Sequence, residues 1–419
     1  MPAMPVKSAL ATDRTTRSLS PSGSSITSIL APAPMPSRRR NAAGNTIWPL
    51  EETRSVDMRV LEAAGNGNDK TAYAVSQSLC DSSVQPTRPI NPWRLCVAPL
   101  MDGTDRHCRY LHRLITRRTR LYTEMITTGA LLHGDAARHL DFNAAEHPLA
   151  LQLGGSEPAD LAACAKLAQR WGYDEVNLNC GCPSERVQRG AFGACLMAEP
   201  KLVADCVAAM RDATDLPVTV KHRIGIDRSE DHAFVADFVG TVAAAGCEVF
   251  IVHARNAWLE GLSPKQNREL PPLRYEVVHR LKREFRQLTI VLNGGLQRIE
   301  QIDAQLEEVD GVMLGREAYQ NPWSMAGWDA HFFGDDGAPD RSALDRDEVE
   351  AAMVSHMQAM ASHGEPWTRA ARHMLGLRNG QPGARHWRQV WSDHRNKQLD
   401  PAEVSALAVS ARRSEALPA

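Results

Sequence analysis

The chain has 419 residues and a formal net charge of −2 at pH 7, and it is 43% hydrophobic and 23% charged, as folded globular proteins are. This balance excludes a protein that is basic throughout, so a nucleic-acid partner would need a local basic patch. No stretch of the sequence approaches the roughly 20 apolar residues of a membrane-spanning helix.

Residues 1–92 differ in texture from the rest of the chain. The stretch 18–45 is rich in serine, proline and alanine and has no sustained hydrophobic period, which predicts a disordered, low-complexity extension. A basic, serine-rich start is similar to a transit peptide, but Asp13, the prolines and the lack of an amphipathic helix argue against one. We therefore hypothesise that translation of the native protein starts further downstream.

Eight short apolar segments recur from Trp93 onward and predict β-strands. They are 94–98, 121–125, 149–153, 175–179, 217–221, 249–253, 289–293 and 311–315. Helix-like stretches lie between them, and in 158–172 the apolar positions recur on one helical face. Apolar strands that alternate with helices indicate a parallel sheet buried on both faces. Eight such units predict an α/β fold, a (β/α)8 TIM barrel over 93–336.

An open, doubly wound sheet is the alternative arrangement of the same elements. Such a sheet would want a glycine-rich fingerprint after its first strand, and the sequence APLMDG found there has none. After a polar break at 335–348, helix-like sequence runs from about residue 346 to 395. We expect a small all-helical domain over 337–400 and a flexible tail over 401–419.

The active site of a TIM barrel lies at the C-terminal ends of its strands, so the residues that end or follow the predicted strands are its candidates. In chain order these residues are Pro99, Leu100 and Met101, then Gln152, then Asn177 and Asn179, then Lys221 and Arg223, then His253 and Arg255, then Asn293, Gly294 and Gly295, then Gly315 and Arg316.

Glycines after the last two strands suggest a phosphate site. Glycine lets backbone N–H groups approach a phosphate closely, and Arg316 adds positive charge. Such a site suits a phosphorylated cofactor such as FMN, with Gln152 and Lys221 bonding the polar edge of a flavin ring. The alternative is that Gly294 and Gly295 serve the turn only.

Two cysteines follow the fourth strand. Cys180 can pack as a small apolar residue, whereas Cys182 stands beyond Gly181 in a loop where its thiol can project over the barrel mouth. The nine cysteines are odd in number and no secretory signal precedes them, so we expect reduced thiols in a cytoplasmic protein. The C-x-C pair lacks the further ligands of a zinc site, and no metal is predicted.

The stretch 369–397 is strongly basic. It holds one acid, Asp393, against Arg369, Arg372, Arg378, Arg385, Arg388, Arg395 and Lys397. Arginines pair with phosphates and position RNA without reading its bases, so this excess predicts a nucleic-acid surface. The alternative is a solvated helix face, and we expect Trp387 and Trp391 to face the core.

Several motifs in this order resemble the tRNA-dihydrouridine synthase family. They include APLMDGTDRHCR, VNLNCGCPSERVQRGAFGACLM, VTVKHRIGID and VHARNAWLEGLSPKQNRELPPL, while SPKQNRELPPL and RHMLGLRNGQPGARHWR are similar to the A subfamily. The resemblance covers about 93–395. It implies an FMN-binding barrel and a helical tRNA-binding domain. NADPH would reduce the flavin, which would reduce the C5–C6 bond of a D-loop uridine, at positions 20 and 20a.

The resemblance also implies roles for single residues. Cys182 stands at the family's proton-donor position and would protonate C5 while hydride adds to C6, since an ordinary thiol is mostly protonated at neutral pH. Cys180 would be a packing residue, and Asn179 would touch the uridine. Flavin contacts carry over to Pro99, Leu100, Met101, Gln152, Lys221, His253, Asn293, Gly294, Gly295, Gly315 and Arg316. Lys265, Gln266 and Arg268 would form a tRNA-contacting loop, in which Gln266 replaces an expected Glu.

The helical domain would add Arg385 and Arg388 to the tRNA surface, and we expect a monomer. Three alternatives stay open: an FMN-dependent reductase of a small pyrimidine or enone, a tRNA-binding protein without catalysis, and a structural metalloprotein using Cys180 and Cys182. A reductase of small molecules needs no arginine-rich domain. A tRNA-binding protein without catalysis would have a degraded flavin site, and a metalloprotein would need more metal ligands than the two cysteines supply. A yellow purified protein would weaken the last two. The preference for NADPH over NADH follows from the resemblance alone.

Overall fold

The computed structural model describes residues 91–184, 188, 190–228, 231–334 and 344–416. All but the last two residues of the extension predicted over 1–92 lie outside this part of the chain. The same is true of 335–343, so the domain boundary predicted at 336/337 stays a prediction. In the part that the model describes, no helix is both long and apolar enough to span a membrane.

Nine short strands form one parallel sheet that curls into a barrel. They are β1 (Leu95–Val97), β2 (Leu121–Tyr122), β3 (Ile126–Thr127), β4 (Leu149–Gly154), β5 (Glu175–Cys180), β6 (Val218–Arg223), β7 (Val249–His253), β8 (Thr289–Asn293) and β9 (Gly311–Leu314). The hydrogen-bonded order is β1-β9-β8-β7-β6-β5-β4-β2, with β3 also paired to β4. Arg120 closes the ring, because its N–H donates to Leu95 O at 3.0 Å and its carbonyl accepts from Val97 N–H at 2.9 Å.

The predicted TIM barrel is confirmed, with one difference. The strand predicted over 121–125 ends at Tyr122 as β2, and a second short strand, β3, follows at Ile126–Thr127. Thr123 interrupts the predicted strand, because its Oγ1 accepts the Gln152 N–H at 3.0 Å in place of a backbone carbonyl.

Helices follow the strands and cover the outside of the barrel. They are α1 (Arg106–Ile115), α2 (Thr128–His133), α3 (Ala136–Leu140), α4 (Pro158–Trp171), α5 (Pro200–Ala213), α6 (His232–Ala244), α7 (Tyr275–Glu284), α8 (Ile299–Leu306), α9 (Arg316–Gln320) and α10 (Trp328–Phe333). The face predicted for α4 is the one that packs on the barrel, since Leu161, Cys164, Ala165 and Ala168 are fully buried. The helix ends at Gly172, whose φ of +84° suits glycine.

The interior of the barrel has a polar side and an apolar side. Along β5, Val176, Leu178 and Cys180 belong to the core beneath the helices, so the alternate residues Glu175 and Asn177 face inward. Cys96, Ala98, Tyr122, Ala150, Val249, Ile251, Val291 and Met313 form a separate apolar cluster. Its members come from β1, β2, β4, β7, β8 and β9. The inward-facing polar residues form a column across β4, β5 and β6.

The C-terminal region is helical, as predicted. Its helices are α11 (Arg346–Ser362), α12 (Thr368–Ala371), α13 (Ala384–Ser392) and α14 (Pro401–Ala416). Glu350 joins them: its carboxylate accepts from Trp387 Nε1 at 2.9 Å and Trp391 Nε1 at 3.1 Å and is paired with Arg378. Both tryptophans are buried, as expected for residues that face the core.

Two sequence predictions in this region are wrong. The tail predicted over 401–419 forms α14 as far as residue 416, because Val404 and Ala408 lie one turn apart and are fully buried. Asp400 Oδ1 accepts the Ala402 N–H at 2.8 Å and so caps the helix. Arg378 does not belong to an RNA surface, since it is 3% exposed and held by Glu350.

The helical region packs on α1 of the barrel. His107 Nδ1 lies 3.0 Å from His356 Nε2 on α11. Asp105 caps α1 and also pairs with Arg372 at 2.8 Å and with His373 at 2.9 Å. The N-terminal end of α1, on the rim that carries the strand ends, is thereby fixed to the helical region.

Candidate active site

Polar side chains from neighbouring strands meet at the C-terminal end of the barrel. The strand register sets Asn179 beside Lys221 and His253 beside Asn293. Lys221 Nζ donates to Asn293 Oδ1 at 3.2 Å, and Asn293 Nδ2 donates to Met313 O at 2.7 Å. The structure thus brings together the strand-end residues that the sequence analysis selected on β5 to β8.

Lys221 and His253 lie in an electropositive environment. Burial and the nearby Arg223 lower the pKa of Lys221 to about 7. Burial, with Arg223 and Lys221 beside it, holds the pKa of His253 well below its usual range. A bound anion would raise both pKa values, because a negative charge nearby favours the protonated forms. The mouth of the barrel is therefore suited to an anionic ligand.

A cavity of about 130 Å³ opens between the ends of β8 and β9. Asn293, Gly295, Gly315 and Arg316 are among the residues that line it. Gly295 has a φ of +73°, and a Cβ on it would meet Leu273 Cδ1 at 2.5 Å. An alanine here would be strained by the positive φ and would have to displace Leu273, so glycine keeps the backbone at the edge of the cavity bare.

The neighbouring glycine is held in a similar way. Gly294 has a φ of +131°, and its carbonyl accepts the Tyr275 hydroxyl at 2.6 Å. A Cβ on Gly315 would lie 3.5 Å from Ala98 Cβ and 3.7 Å from Leu100 Cδ2. The segment after β1 is thus close to the end of β9.

That segment forms a turn on the rim of the barrel. The N–H groups of Gly103 and Thr104 both donate to Leu100 O at 2.9 Å. Pro99 and Leu100 are half-buried, whereas Met101 is 59% exposed. An exposed methionine offers a flexible apolar surface on which a flat ring can pack.

Arg316 lines the cavity but also bonds to groups outside it. Its guanidinium is exposed, donates to Glu269 Oε1 at 3.0 Å and donates to Arg268 O at 3.3 Å. Burial and Arg316 lower the pKa of Arg268 and that of Arg255. The guanidinium groups of Arg255 and Arg268 therefore lie near that of Arg316.

Cys182 lies half-buried in the loop that follows β5. Asn179 Oδ1 accepts the N–H of Gly181 at 3.1 Å and that of Cys182 at 3.0 Å. The Cys182 carbonyl accepts the Ala194 N–H at 2.9 Å, and its Sγ lies 3.6 Å from Ser184 Oγ. The loop is thus fixed on both sides of the thiol.

Cys180 contrasts with Cys182. It is fully buried in the core, and burial raises the pKa of its thiol well above the usual range. Every cysteine between residues 91 and 416 carries a free thiol. The distinction predicted between a packing cysteine and a loop cysteine is therefore seen in the structure.

Asn179 has a structural task that the sequence analysis missed. Its Nδ2 donates to Gln152 Oε1 at 2.9 Å, while its Oδ1 holds the Cys182 loop. Both ends of the amide are engaged within the protein, and the side chain is buried. The period-two alternation of polar residues along β5 was the signal in the sequence.

The predicted tRNA-contacting loop lies on the surface after β7. Lys265 and Gln266 are exposed, and Arg268 is half-buried. Gln266 Oε1 accepts the N–H and the hydroxyl of Ser263, each at 2.9 Å. Gln266 therefore stabilises the loop itself.

A larger groove, with a cavity volume of about 580 Å³, separates the barrel rim from the helical region. Arg106, Arg138, His139, Arg369 and Arg372 contribute to its walls. The sequence analysis selected only the last two. The others lie on α1 and α3, more than 200 residues away, and no local pattern marks them.

The arginines of this groove fall into two classes. Arg106 is paired with Asp141 and Glu365, and Arg372 is paired with Asp105. Arg138 and Arg369 are exposed, with no ion pair recorded among the described residues.

Arg385 and Arg388 lie elsewhere. Both are exposed on α13, and Arg388 donates to Asn379 Oδ1 at 3.0 Å. Neither lines the groove.

The chain matches the family model described as dihydrouridine synthase (Dus) over residues 96–412. A tRNA-dihydrouridine(20/20a) synthase of Pseudomonas putida is 57% identical over 328 residues, which is 78% of this chain and 96% of the relative. Its counterpart in Vibrio parahaemolyticus is 55% identical over 312 residues, 74% of this chain and 94% of the relative. The counterpart in Escherichia coli K12 is 53% identical over 326 residues, 77% of this chain and 92% of the relative.

Proposed function

This chain belongs to the dihydrouridine synthase family, and we propose that it reduces the C5–C6 double bond of a uridine in the tRNA D-loop, with FMN as its flavin and NADPH as electron donor. The observation that carries the proposal is the pairing of a fixed loop thiol, Cys182, with an electropositive barrel mouth.

The residues at the mouth fit a flavin mononucleotide. Lys221 would hold the polar edge of the ring, with Pro99, Leu100, Met101 and His253 around it. Gln152, expected from the sequence to bond the ring as well, is buried one level below, and its amide is engaged by Asn177 and Asn179. Asn293, Gly294, Gly295, Gly315 and Arg316 would hold the phosphate. The lowered pKa of Lys221 and the bare backbone at Gly295 support this assignment, since both features suit an anion. When bound, the reduced flavin supplies the hydride that adds to C6 of the uracil.

Cys182 would act as the acid of the reaction. Addition at C6 leaves negative charge on C5 and O4, so a proton must reach C5. A thiol group carries a proton that it can donate to C5. Asn179 and Ala194 hold the backbone of Cys182 on either side and so fix where the thiol stands.

The substrate would be held by phosphate contacts outside the mouth. Arg138 and Arg369 line the groove, and Lys265, Gln266, Arg268, Arg385 and Arg388 add exposed polar groups. The uridine must be unstacked and turned into the barrel, which a loop allows more cheaply than a duplex. The names of the relatives support positions 20 and 20a as the targets. We propose that the protein acts as a monomer in the cytoplasm.

The proposal is tested by mass spectrometry of tRNA from a host strain with and without this gene. We expect D-loop dihydrouridine to disappear on deletion and to return with the wild-type gene but not with Cys182→Ala. Unchanged dihydrouridine in the deletion strain would overturn the proposal and favour a reductase of small molecules.

A further inference from the structure

The geometry points to Glu175 as a positioning residue for Cys182. We propose that this carboxylate, below the mouth in the barrel interior, fixes the orientation of the Cys182 loop through a chain of hydrogen-bonded side chains. The members of the chain are Thr219, Asn177, Gln152 and Asn179. The inference rests on the proposed function in one respect, namely that Cys182 is the acid of the reaction.

Glu175 forms the fixed end of the chain. It is fully buried, and its Oε1 accepts the hydroxyl groups of Tyr122, at 2.8 Å, and of Thr219. Its Oε2 accepts Trp93 Nε1 at 2.8 Å and pairs with Arg120 at 3.2 Å. A carboxylate only accepts hydrogen bonds, so the hydroxyl proton of Thr219 must point at Glu175.

The direction of each further bond follows from this first one. Thr219 Oγ1 has only lone pairs left to offer, so it accepts Asn177 Nδ2 at 2.7 Å. Asn177 must then present its Oδ1 to Gln152, which donates from Nε2 at 2.7 Å.

The chain ends at the loop that carries Cys182. Gln152 Oε1 accepts Asn179 Nδ2 at 2.9 Å, which leaves Asn179 Oδ1 to face the N–H groups of Gly181 and Cys182. Backbone N–H groups only donate. The hydrogen bonds at the two ends of this series therefore fix the same orientation for every amide in it. If one amide were reversed, it would place a donor against a donor at one contact and an acceptor against an acceptor at the other.

Burial makes this order rigid. Gln152, Asn177 and Thr219 lie at one level of three adjacent strands and are at most 1% exposed. Asn179 is 8% exposed, one level nearer the mouth. A buried amide with a lost or reversed partner is costly, because no water replaces the missing bond. Removing the Thr219 hydroxyl should thus release the amides above it.

The test compares Thr219→Val with Thr219→Ser in the flavin-loaded protein. The first variant keeps the shape of the side chain and removes the hydroxyl, and the second keeps the hydroxyl. Two quantities are measured: steady-state reduction of tRNA that lacks dihydrouridine, and the rate at which iodoacetamide alkylates Cys182, followed by peptide mass spectrometry. The second quantity does not depend on catalysis.

We expect Thr219→Val to lower kcat at least tenfold while KM for tRNA and flavin content stay within twofold of wild type. Alkylation of Cys182 should become at least threefold faster, because the loop loses its support. Thr219→Ser should restore both quantities to within twofold. Asn177→Leu, which cuts the next link, should repeat the Val result and replaces it if the Val variant does not fold.

Wild-type kcat and alkylation in both cut variants would overturn the inference. Equal losses in Thr219→Val and Thr219→Ser would also overturn it, since packing and not the hydroxyl would then matter. If the wild-type protein reduces no tRNA, the proposed function fails. The alkylation rates then decide the positioning role by themselves, and unchanged rates contradict it.

Discussion

At the scale of single residues, the barrel mouth contains groups held in unfavourable environments or conformations. Lys221 is enclosed beside Arg223, and its ammonium group donates to a neutral acceptor, the amide oxygen of Asn293. Gly295 adopts a backbone conformation that other residues avoid. Both features lower the stability of the protein without ligand and are explained if an anionic ligand binds there.

The pH dependence of stability tests the state of Lys221 in flavin-free protein. Its folded-state pKa, about 7, lies below the usual lysine value of 10.5. Between these values the unfolded chain binds the extra proton, so the free energy of unfolding should rise as pH increases from about 7 to 10. We expect Lys221→Met to remove this rise, as measured by denaturant unfolding. A rise of equal size in the variant would contradict the assignment.

The phosphate site proposed for the cavity between β8 and β9 is tested by Gly295→Ala, with Gly172→Ala as its matched control. Both glycines have positive φ, so each alanine should cost about 1–2 kcal/mol of stability. Only the alanine at residue 295 meets a side chain, Leu273, at the edge of the cavity. We expect FMN affinity to fall at least tenfold in Gly295→Ala and to stay unchanged in Gly172→Ala, measured by fluorescence titration. Equal FMN affinity in the two variants would place the phosphate elsewhere.

Much of the site was predictable at this scale, because strand ends converge in any barrel. The strand-end residues Gln152, Asn179 and Lys221 were found on that ground alone. The role of Glu175 was not found, since the start of β5 was treated as an apolar strand. The direction of these hydrogen bonds depends on partners from three strands, so the sequence of a single strand does not reveal it.

At the scale of elements, the helical region depends on one buried carboxylate. Glu350 on α11 accepts from the indoles of Trp387 and Trp391 on α13 and pairs with Arg378. The basic stretch 369–397 therefore contains a structural arginine among exposed ones. Sequence could not separate them, because helical periodicity does not show which face meets a buried acid.

Two arginine variants separate these roles. Arg378→Met should lower the free energy of unfolding by about 3–5 kcal/mol, because it leaves Glu350 charged and unpaired in the core. Arg385→Met removes an exposed charge and should stay within about 0.5 kcal/mol of wild type. Arg385→Met should weaken tRNA binding all the same. Equal stabilities in chemical denaturation would show that the Glu350 cluster is not a core.

The strands were predicted well and α14 was not, for a physical reason. Each strand is a compact apolar run whose length and flanks set it apart. The buried side of α14 is built from Val404 and Ala408, and small residues give a weak periodic signal. Packing against α11 and α13 supplies the order that the local sequence does not reveal.

At the scale of the whole molecule, the groove between the barrel rim and the helical region is the surface that we propose binds the tRNA. It exists because α1 is fixed to the helical region through Asp105 and His107. Arg138 and Arg369 are 231 residues apart in the sequence and line the same groove only in the folded chain. No reading of the sequence alone could pair them.

Charge reversal of Arg138 and Arg369 tests this surface. The double variant Arg138→Glu/Arg369→Glu should weaken tRNA binding about tenfold at roughly 0.1 M salt and flatten the dependence of affinity on salt, because fewer phosphates are neutralised. Arg170→Glu, on the exposed surface of α4, is the matched control and should bind as wild type does. Filter binding over a salt series measures both. Identical losses in variant and control would indicate a general charge effect and no groove.

The central claim is tested most directly by dihydrouridine formation in vitro, using purified protein, NADPH and tRNA that lacks the modification. We predict that the wild-type protein reduces D-loop uridine, while Cys182→Ala retains its flavin and its tRNA affinity but forms product at least 100-fold more slowly, the scale expected when a general acid is lost. Product formation by Cys182→Ala at the wild-type rate would contradict the account of the site.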